Sequence, residues 1–180
     1  MTYSRDGRHW LRPGERQPFI ALGPPDSWEP DYSDPAFTGP LLVGEELWFY
    51  YRGSRSNSRD RQEAYTSAVG LARLRQDGFA SLNAGPKLGR VVTKPLTFDG
   101  RSLYANVEIA EGGSLRAAVL SEVRQPVPAY SPDRCIALKA GTTRGRITWR
   151  DASELAIQAG DHVRLLFELQ NAKLYSFWIE

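Results

Sequence analysis

A chain of 180 residues with 23 Lys and Arg against 21 Asp and Glu carries a formal charge of +2, which leaves room for one good core plus a satellite and no basic stripe to cover a phosphate backbone. Nucleic acid is excluded as a partner on that ground. Cys135 is the only cysteine, so an internal disulfide and a thiolate metal cluster are excluded as well.

Met1 to Trp10 is polar from its second residue onward, and no stretch approaches membrane-spanning length. A soluble chain without an export signal is expected, its compartment left open. Apolar runs rich in Val, Leu, Tyr, Phe and Trp alternate with Gly, Pro, Asp and Ser clusters, which is the spacing of an all-β chain. In chain order the predicted strands are Pro40–Val43, Leu47–Arg52, Ala68–Arg75, Ala80–Asn83, Val91–Pro95, Ser102–Ile109, Leu115–Glu122, Arg146–Arg150, His162–Leu169 and Leu174–Ile179. Asp6-Gly7, Asp77-Gly78 and Asp99-Gly100 mark tight reversals, because Asp accepts turn amides and Gly takes positive φ without a Cβ clash. Gly53 to Thr66 lacks periodicity and reads as a long exposed loop. Ala152 to Ala159 is the one candidate for a short helix, with a connecting turn as its alternative. Gly141 to Gly145 reads as a turn; it lacks the lysine and the strand-to-helix context of a phosphate loop.

Strand alternation sends Leu47, Phe49 and Tyr51 to one face and Trp48 and Tyr50 to the other. Such a strand is either buried on both sides or presents one aromatic face to a partner, and sugar rings stack on such faces through their apolar C–H sides. Trp28 and Tyr32, on the Pro-rich segment 24–35, admit the same two readings. In the last strand Tyr175, Phe177 and Ile179 form the better core face, with Trp149 packed in the same layer. The candidate sugar-binding residues are Trp28, Tyr32, Trp48 and Tyr50.

Glycoside hydrolysis needs two carboxyl groups flanking the scissile bond, one of them kept protonated. Glu29, Asp31 and Asp34 supply that chemistry in principle, and an extended segment sets Glu29 and Asp31 on one side. The alternative is a solvated acidic loop. His9 and His162 fit a turn and a strand end rather than a base beside a nucleophile, and Cys135 fits packing. No cofactor or metal is expected.

Ser4-Arg5-Asp6-Gly7-Arg8-His9-Trp10 resembles the S-x-D-G-x-x-W turn that recurs between strands of β-propeller glycosidases. The order of Arg16–Ile20, Gly23–Trp28, Gly44–Tyr51 and Val69–Ala72 resembles the closing blade of five-bladed propellers of glycoside hydrolase families 32 and 43. Arg75–Leu82 through Pro95–Phe98 to Lys173–Trp178 resembles the β-sandwich that follows such a propeller. The resemblance implies a blade-like antiparallel sheet over 1–79 and an antiparallel β-sandwich over 80–180. A propeller needs about four strands per blade around a closed ring, so this chain holds one blade, and the family's catalytic blades are absent. The implied function is non-catalytic carbohydrate binding, with an oligo- or polysaccharide as partner. The alternatives are a minimal glycoside hydrolase using Glu29, Asp31 and Asp34, and a structural or interaction domain. A lone blade also leaves an edge, and pairing through Ala68–Arg75 in a homodimer is expected.

Overall fold

The structure, a computed structural model, describes residues 2–4, 6–12, 14, 16–36, 38–55, 66–158 and 160–180. It is all-β, with every strand pair antiparallel. Two compact units divide the chain, residues 1–76 and 77–180.

The first unit holds a four-stranded sheet of β1 (Tyr32–Pro35), β2 (Leu41–Val43), β3 (Glu46–Arg55) and β4 (Thr66–Arg75). Strand β3 is its spine: β1 and β2 pair along one side and β4 runs the full length of the other. Gly44 at φ 60° opens the tight turn that sets Val43 opposite Glu46, a conformation a Cβ would strain. Two sequence expectations change. Tyr32–Pro35, read as loop, is a strand because Ser33 and Asp34 find main-chain partners on Gly53 and Arg52. Gly53, Ser54, Arg55 and Thr66, read as part of the long loop, belong to the β3–β4 ladder, and residues 56–65 lie outside the described residues.

The second unit holds a six-stranded sheet of β5 (Leu82–Ala84), β6 (Gly89–Val92), β7 (Leu103–Ser121), β8 (Cys135–Ile136), β9 (Thr142–Trp149) and β10 (Val163–Ile179), with one 3₁₀ turn at Pro128–Tyr130. The four strands predicted over 102–122 and 162–179 are two long ones. Strands β7 and β10 pair from Leu103↔Ile179 to Ser121↔Val163, and the register shifts where residues 110–113 stand opposite Asn171. Gly112 (φ 69°) and Asn171 (φ 43°) both adopt the left-handed region there, which Gly and Asn tolerate best. The segments that look like turns in sequence therefore face each other as a bulge that bends a continuous ribbon. The bend is sharp. Phe167 and Phe177 would lie roughly 33 Å apart on an extended strand, yet their ring centroids are 5.0 Å apart.

The folded ribbon gives the unit a sandwich-like core of Leu103, Val107, Leu115, Val119, Leu165 and Phe167, all essentially fully buried; each such side chain contributes about 1.5–3 kcal/mol on leaving water. Trp149 at the end of β9 joins them, donating its indole N–H to the Ala117 carbonyl at 3.1 Å and meeting Tyr130 edge-on at 5.1 Å. Cys135 is buried beside it, its sulfur accepting the Ala117 amide at 3.3 Å, and burial pushes its thiol pKa up. It is a packing residue.

Three further expectations are corrected here. Thr142 to Gly145 are not a turn but the start of β9, paired with Val107 and Ala105; a Cβ on Gly145 would come within 2.6 Å of the Thr142 methyl and 2.7 Å of a Leu138 methyl, so the glycine gives both side chains room. Ala152 onward forms no helix, because its amides go elsewhere: Leu155 to the Arg101 carbonyl at 2.7 Å and Ala156 to the Tyr130 hydroxyl at 2.7 Å. Ala159, the end of that candidate helix, lies outside the described residues. In the last strand a register shift between Leu174 and Ser176 sends Leu174 into the core with Phe177, while Tyr175 turns to donate to Glu108 at 2.8 Å.

The bulge gives a first test. A Cβ on Gly113 would lie within 2.6–2.8 Å of the carbonyl oxygens of Asn171, Ala110 and Gln170, and main chain cannot move aside cheaply. Gly113→Ala is expected to destabilise the second unit by roughly 2–4 kcal/mol, read as a lowered urea midpoint.

Candidate functional site

The two faces of the first unit's sheet differ in what covers them. Leu47, Phe49, Tyr51 and Gly53 share one face by alternation, and the segment before β1 lies on it. Phe19 meets Phe49 edge-on at 5.2 Å, and Trp28 stacks on Tyr51 at 6.0 Å and 26°. Trp28 also passes so close to β3 that a Cβ on Gly53 would come within 2.5 Å of its ring. Arg55 clamps the turn beneath, donating to the carbonyls of Pro25 at 2.8 Å and Ser27 at 2.7 Å. Glu29 lies on this side, its chain against Gly53. Its carboxylate accepts the Tyr51 hydroxyl, and burial first, then that bond and its charge, raise the Tyr51 pKa. Its second oxygen is buried without a partner.

The opposite face carries the other parity: Trp48, Tyr50, Arg52 and Ser54 of β3, with Asp34 and Tyr32 on β1 opposite Arg52 and Ser54, and Val69, Leu71 and Arg73 on β4 opposite Arg52, Tyr50 and Trp48. This face is open: Tyr32 is 44% exposed, Tyr50 42% and Val69 75%. Arg52 lies 5.3 Å over the Tyr32 ring and Arg73 4.7 Å over Trp48, whose indole N–H is held by Glu46 at 3.0 Å. A recess of about 290 Å³ opens among Asp34, Pro35, Ala36, Tyr50, Tyr51, Arg52 and Val69.

The sheet therefore gathers three of the four candidate sugar-binding aromatics, Tyr32, Trp48 and Tyr50, on one side and sets Trp28 on the other. It also divides the candidate carboxylates. Asp34 faces the recess opposite Arg52, Glu29 lies on the Trp28 side, and Asp31 is exposed, its amide donating to the Ser54 carbonyl at 3.4 Å. A pair flanking one bond is not formed by Glu29 and Asp34, since the sheet stands between them. Arg52 and Arg73 were missed in sequence, although each shares parity with a ring it covers in its own strand or across the ladder.

Two smaller constellations stand apart. In Ser4–Trp10 the Asp6 carboxylate accepts the amides of Arg8 at 2.9 Å and His9 at 2.8 Å and pairs with the His9 ring at 2.6 Å. Reciprocal 2.8 Å bonds between Tyr3 and Leu11 close the hairpin. In the second unit Tyr104 and Trp178 stack at 5.6 Å, and Arg144, 4.7 Å from Tyr104, and the Trp178 indole both donate to the Glu180 carboxylate, at 2.7 and 2.6 Å. That carboxylate joins two strands. Among the described residues no group of three His, Cys, Asp or Glu gathers to hold a metal, and no helix is long and apolar enough to cross a membrane.

No protein-family model, curated protein or solved structure matches the chain. Fold and site together define an all-β chain of two antiparallel units, the first bearing an open aromatic and arginine-rich sheet face.

The hairpin gives a pH test. Hydrogen bonds from His9, ring first and then amide, hold the Asp6 carboxyl well below its ordinary value of 3.8. A depressed folded pKa stabilises the turn above the ordinary value and loses that contribution as pH falls below it towards the folded pKa. The protection of the Arg8 and His9 amides, taken relative to an unstructured peptide at the same pH, is expected to be full at pH 6 and to fall steadily below about pH 4, whereas Asp6→Ala lacks it already at pH 6.

Proposed function

We propose that this chain is a non-catalytic carbohydrate-binding piece of a glycosidase-like protein, and that it holds an oligo- or polysaccharide on the open face of β1, β3 and β4. The observation that carries this reading is the convergence of Tyr32, Trp48 and Tyr50 with Asp34 and Arg52 on one exposed face around an open recess. A sugar ring is apolar on its C–H sides and rich in hydroxyls at its rim. Tyr50 offers the ring surface, the Asp34 carboxylate accepts hydroxyl protons, and Arg52 donates to oxygens, so one pose satisfies both halves of the ligand. The resemblance of Ser4–Trp10 and of the strands after it to a propeller blade supports the same class.

Catalysis is not part of the proposal. A general acid must be desolvated enough to keep its proton near neutral pH while a second carboxylate stands across the bond. Asp34 borders an open recess and Glu29 lies behind the sheet. Purified protein is expected to give no turnover on aryl glycosides, arabinan, fructan or xylan. Turnover that disappears in Glu29→Gln, Asp34→Asn would establish the hydrolase reading instead.

Isothermal titration against a polysaccharide panel tests the binding itself. Tyr50→Ala is expected to weaken binding at least about tenfold, the loss of roughly 1.4 kcal/mol, with the melting temperature nearly unchanged. Trp28→Ala should do the reverse, costing about 0.5–1.5 kcal/mol of stability through the lost Tyr51 stack with a smaller effect on affinity. A chain that binds no member of the panel is a structural or interaction domain.

A further inference from the structure

We infer that the outer edge of β4 pairs with a second copy of this chain, antiparallel, about a two-fold axis at Gly70. In an antiparallel ladder the N–H and C=O of a residue point to the same side and successive residues alternate. Gln76 donates its amide to Glu45 across the ladder at 2.8 Å in the register that runs on through Arg75↔Glu46 to Thr66↔Arg55. Leu74, Ala72, Gly70 and Ala68 therefore face β3, and Arg73, Leu71, Val69 and Ser67 present their main-chain groups outward. The far side of the sheet agrees: the Tyr50 carbonyl is taken by Ala36 at 2.9 Å, so Tyr50 and its partner Leu71 do not bond to each other. Among the described residues no strand pairs with this edge of β4. It carries no proline and no lysine, and its two charges, Arg73 and Arg75, stand at one end, so Ser67–Ala72 lacks the usual guards of an exposed edge.

Self-pairing is favoured by the register itself. An axis at Gly70 sets Val69 against the partner's Leu71, Ala68 against the partner's Ala72 and Ser67 against the partner's Arg73. Apolar meets apolar, and each arginine meets a small polar residue. Gly70 at the axis lets the backbones close to the spacing of about 4.5 Å that a non-hydrogen-bonded pair needs. Its own Cβ position is already filled by the Tyr51 ring. Moving the axis towards Ala72 sets Arg73 against the partner's Leu71 or Val69, and moving it to Val69 sets Ser67 against the partner's Leu71 and confines the described pairing to Thr66–Ala72. An axis normal to the sheet keeps both aromatic faces on one side and brings the partner's Leu71 beside Val69 at the rim of the recess. One strand edge buries less than the roughly 1,200 Å² of stable interfaces, so the dimer is weak and concentration-dependent. The inference does not rest on the sugar-binding reading.

Sedimentation equilibrium of the full chain over a concentration series, with thermal melts of each variant, tests it. The wild type is expected to be a reversible dimer. Ser67→Glu, which sets a carboxylate against the partner's Arg73 at two symmetric places, should tighten it roughly tenfold, and Ser67→Arg should loosen it by a similar factor. Leu71→Pro removes an outward amide and should abolish the dimer. A wild type that stays monomeric at every concentration overturns the inference, as does a dimer indifferent to both folded Ser67 variants. Ser67 is exposed, so these two variants decide the matter even where Leu71→Pro fails to fold.

Discussion

The second unit depends on one constraint: strands of 19 and 17 residues are too long to lie flat over a core this small, so their shared ribbon must bend. It bends where residues 110–113 oppose Asn171, the one place where left-handed residues stand on both strands. The fold then follows. Once bent, β7 offers its first half to β9 and its second half to Leu138, which bonds Leu115 reciprocally at 2.9 and 3.0 Å. Cys135 and Trp149 both reach Ala117 from the far side. A ribbon that stayed straight would leave Phe167 and Phe177 without each other and β8 without a place to dock.

The first unit is organised by the opposite circumstance. Every buried apolar side chain among the described residues lies at or beyond Leu103, so the β1–β4 sheet has no core of that kind. Its ladder is held by β3, and one face is covered by rings laid flat or edge-on over Phe49, Tyr51 and Gly53. Covering one face leaves the other available. A half-covered antiparallel sheet is a stable solution when the open side mixes polar and aromatic groups, and Arg52 over Tyr32 and Arg73 over Trp48 provide that mixture.

What the sequence made legible was local. Alternation in Leu47–Tyr51 assigned the two faces of β3 correctly because every residue there is paired in register. The rule has no ladder to act on at Glu29 and Asp31, since regular pairing begins only at Tyr32 and Glu29 belongs to a turn whose direction is set by the Gly23 amide bonding its carbonyl at 3.2 Å. Gly112-Gly113 and Gln170–Ala172 carry ordinary turn signals. Only their pairing across the ribbon makes them a bulge, and a contact between residues so far apart in the chain leaves no periodic trace. Gly141–Gly145 failed similarly: its glycines looked like punctuation, whereas Gly145 leaves room for Thr142 and Leu138. The arginines over the rings were within reach, because Arg52 shares parity with Trp48 and Tyr50, but the stacking itself depends on β4 and β1 arriving alongside.

The same arginines bear on how a sugar would meet this face under the proposed function. A guanidinium over an exposed ring contributes about 0.5–1 kcal/mol, close to what an exposed surface ion pair is worth, so moving it aside costs little. The displaced group is not wasted. Arg52, lifted from Tyr32, remains beside the recess that it lines with Asp34, where its planar donors suit a hydroxyl pair or a carboxylate. Tyr50 needs no such exchange in the proposed pose, since the recess opens directly against it. Under the proposed function, binding would begin at Tyr50 and extend over Tyr32 only for a ligand long enough to use both, so that affinity would grow with chain length until the rings of the face are covered.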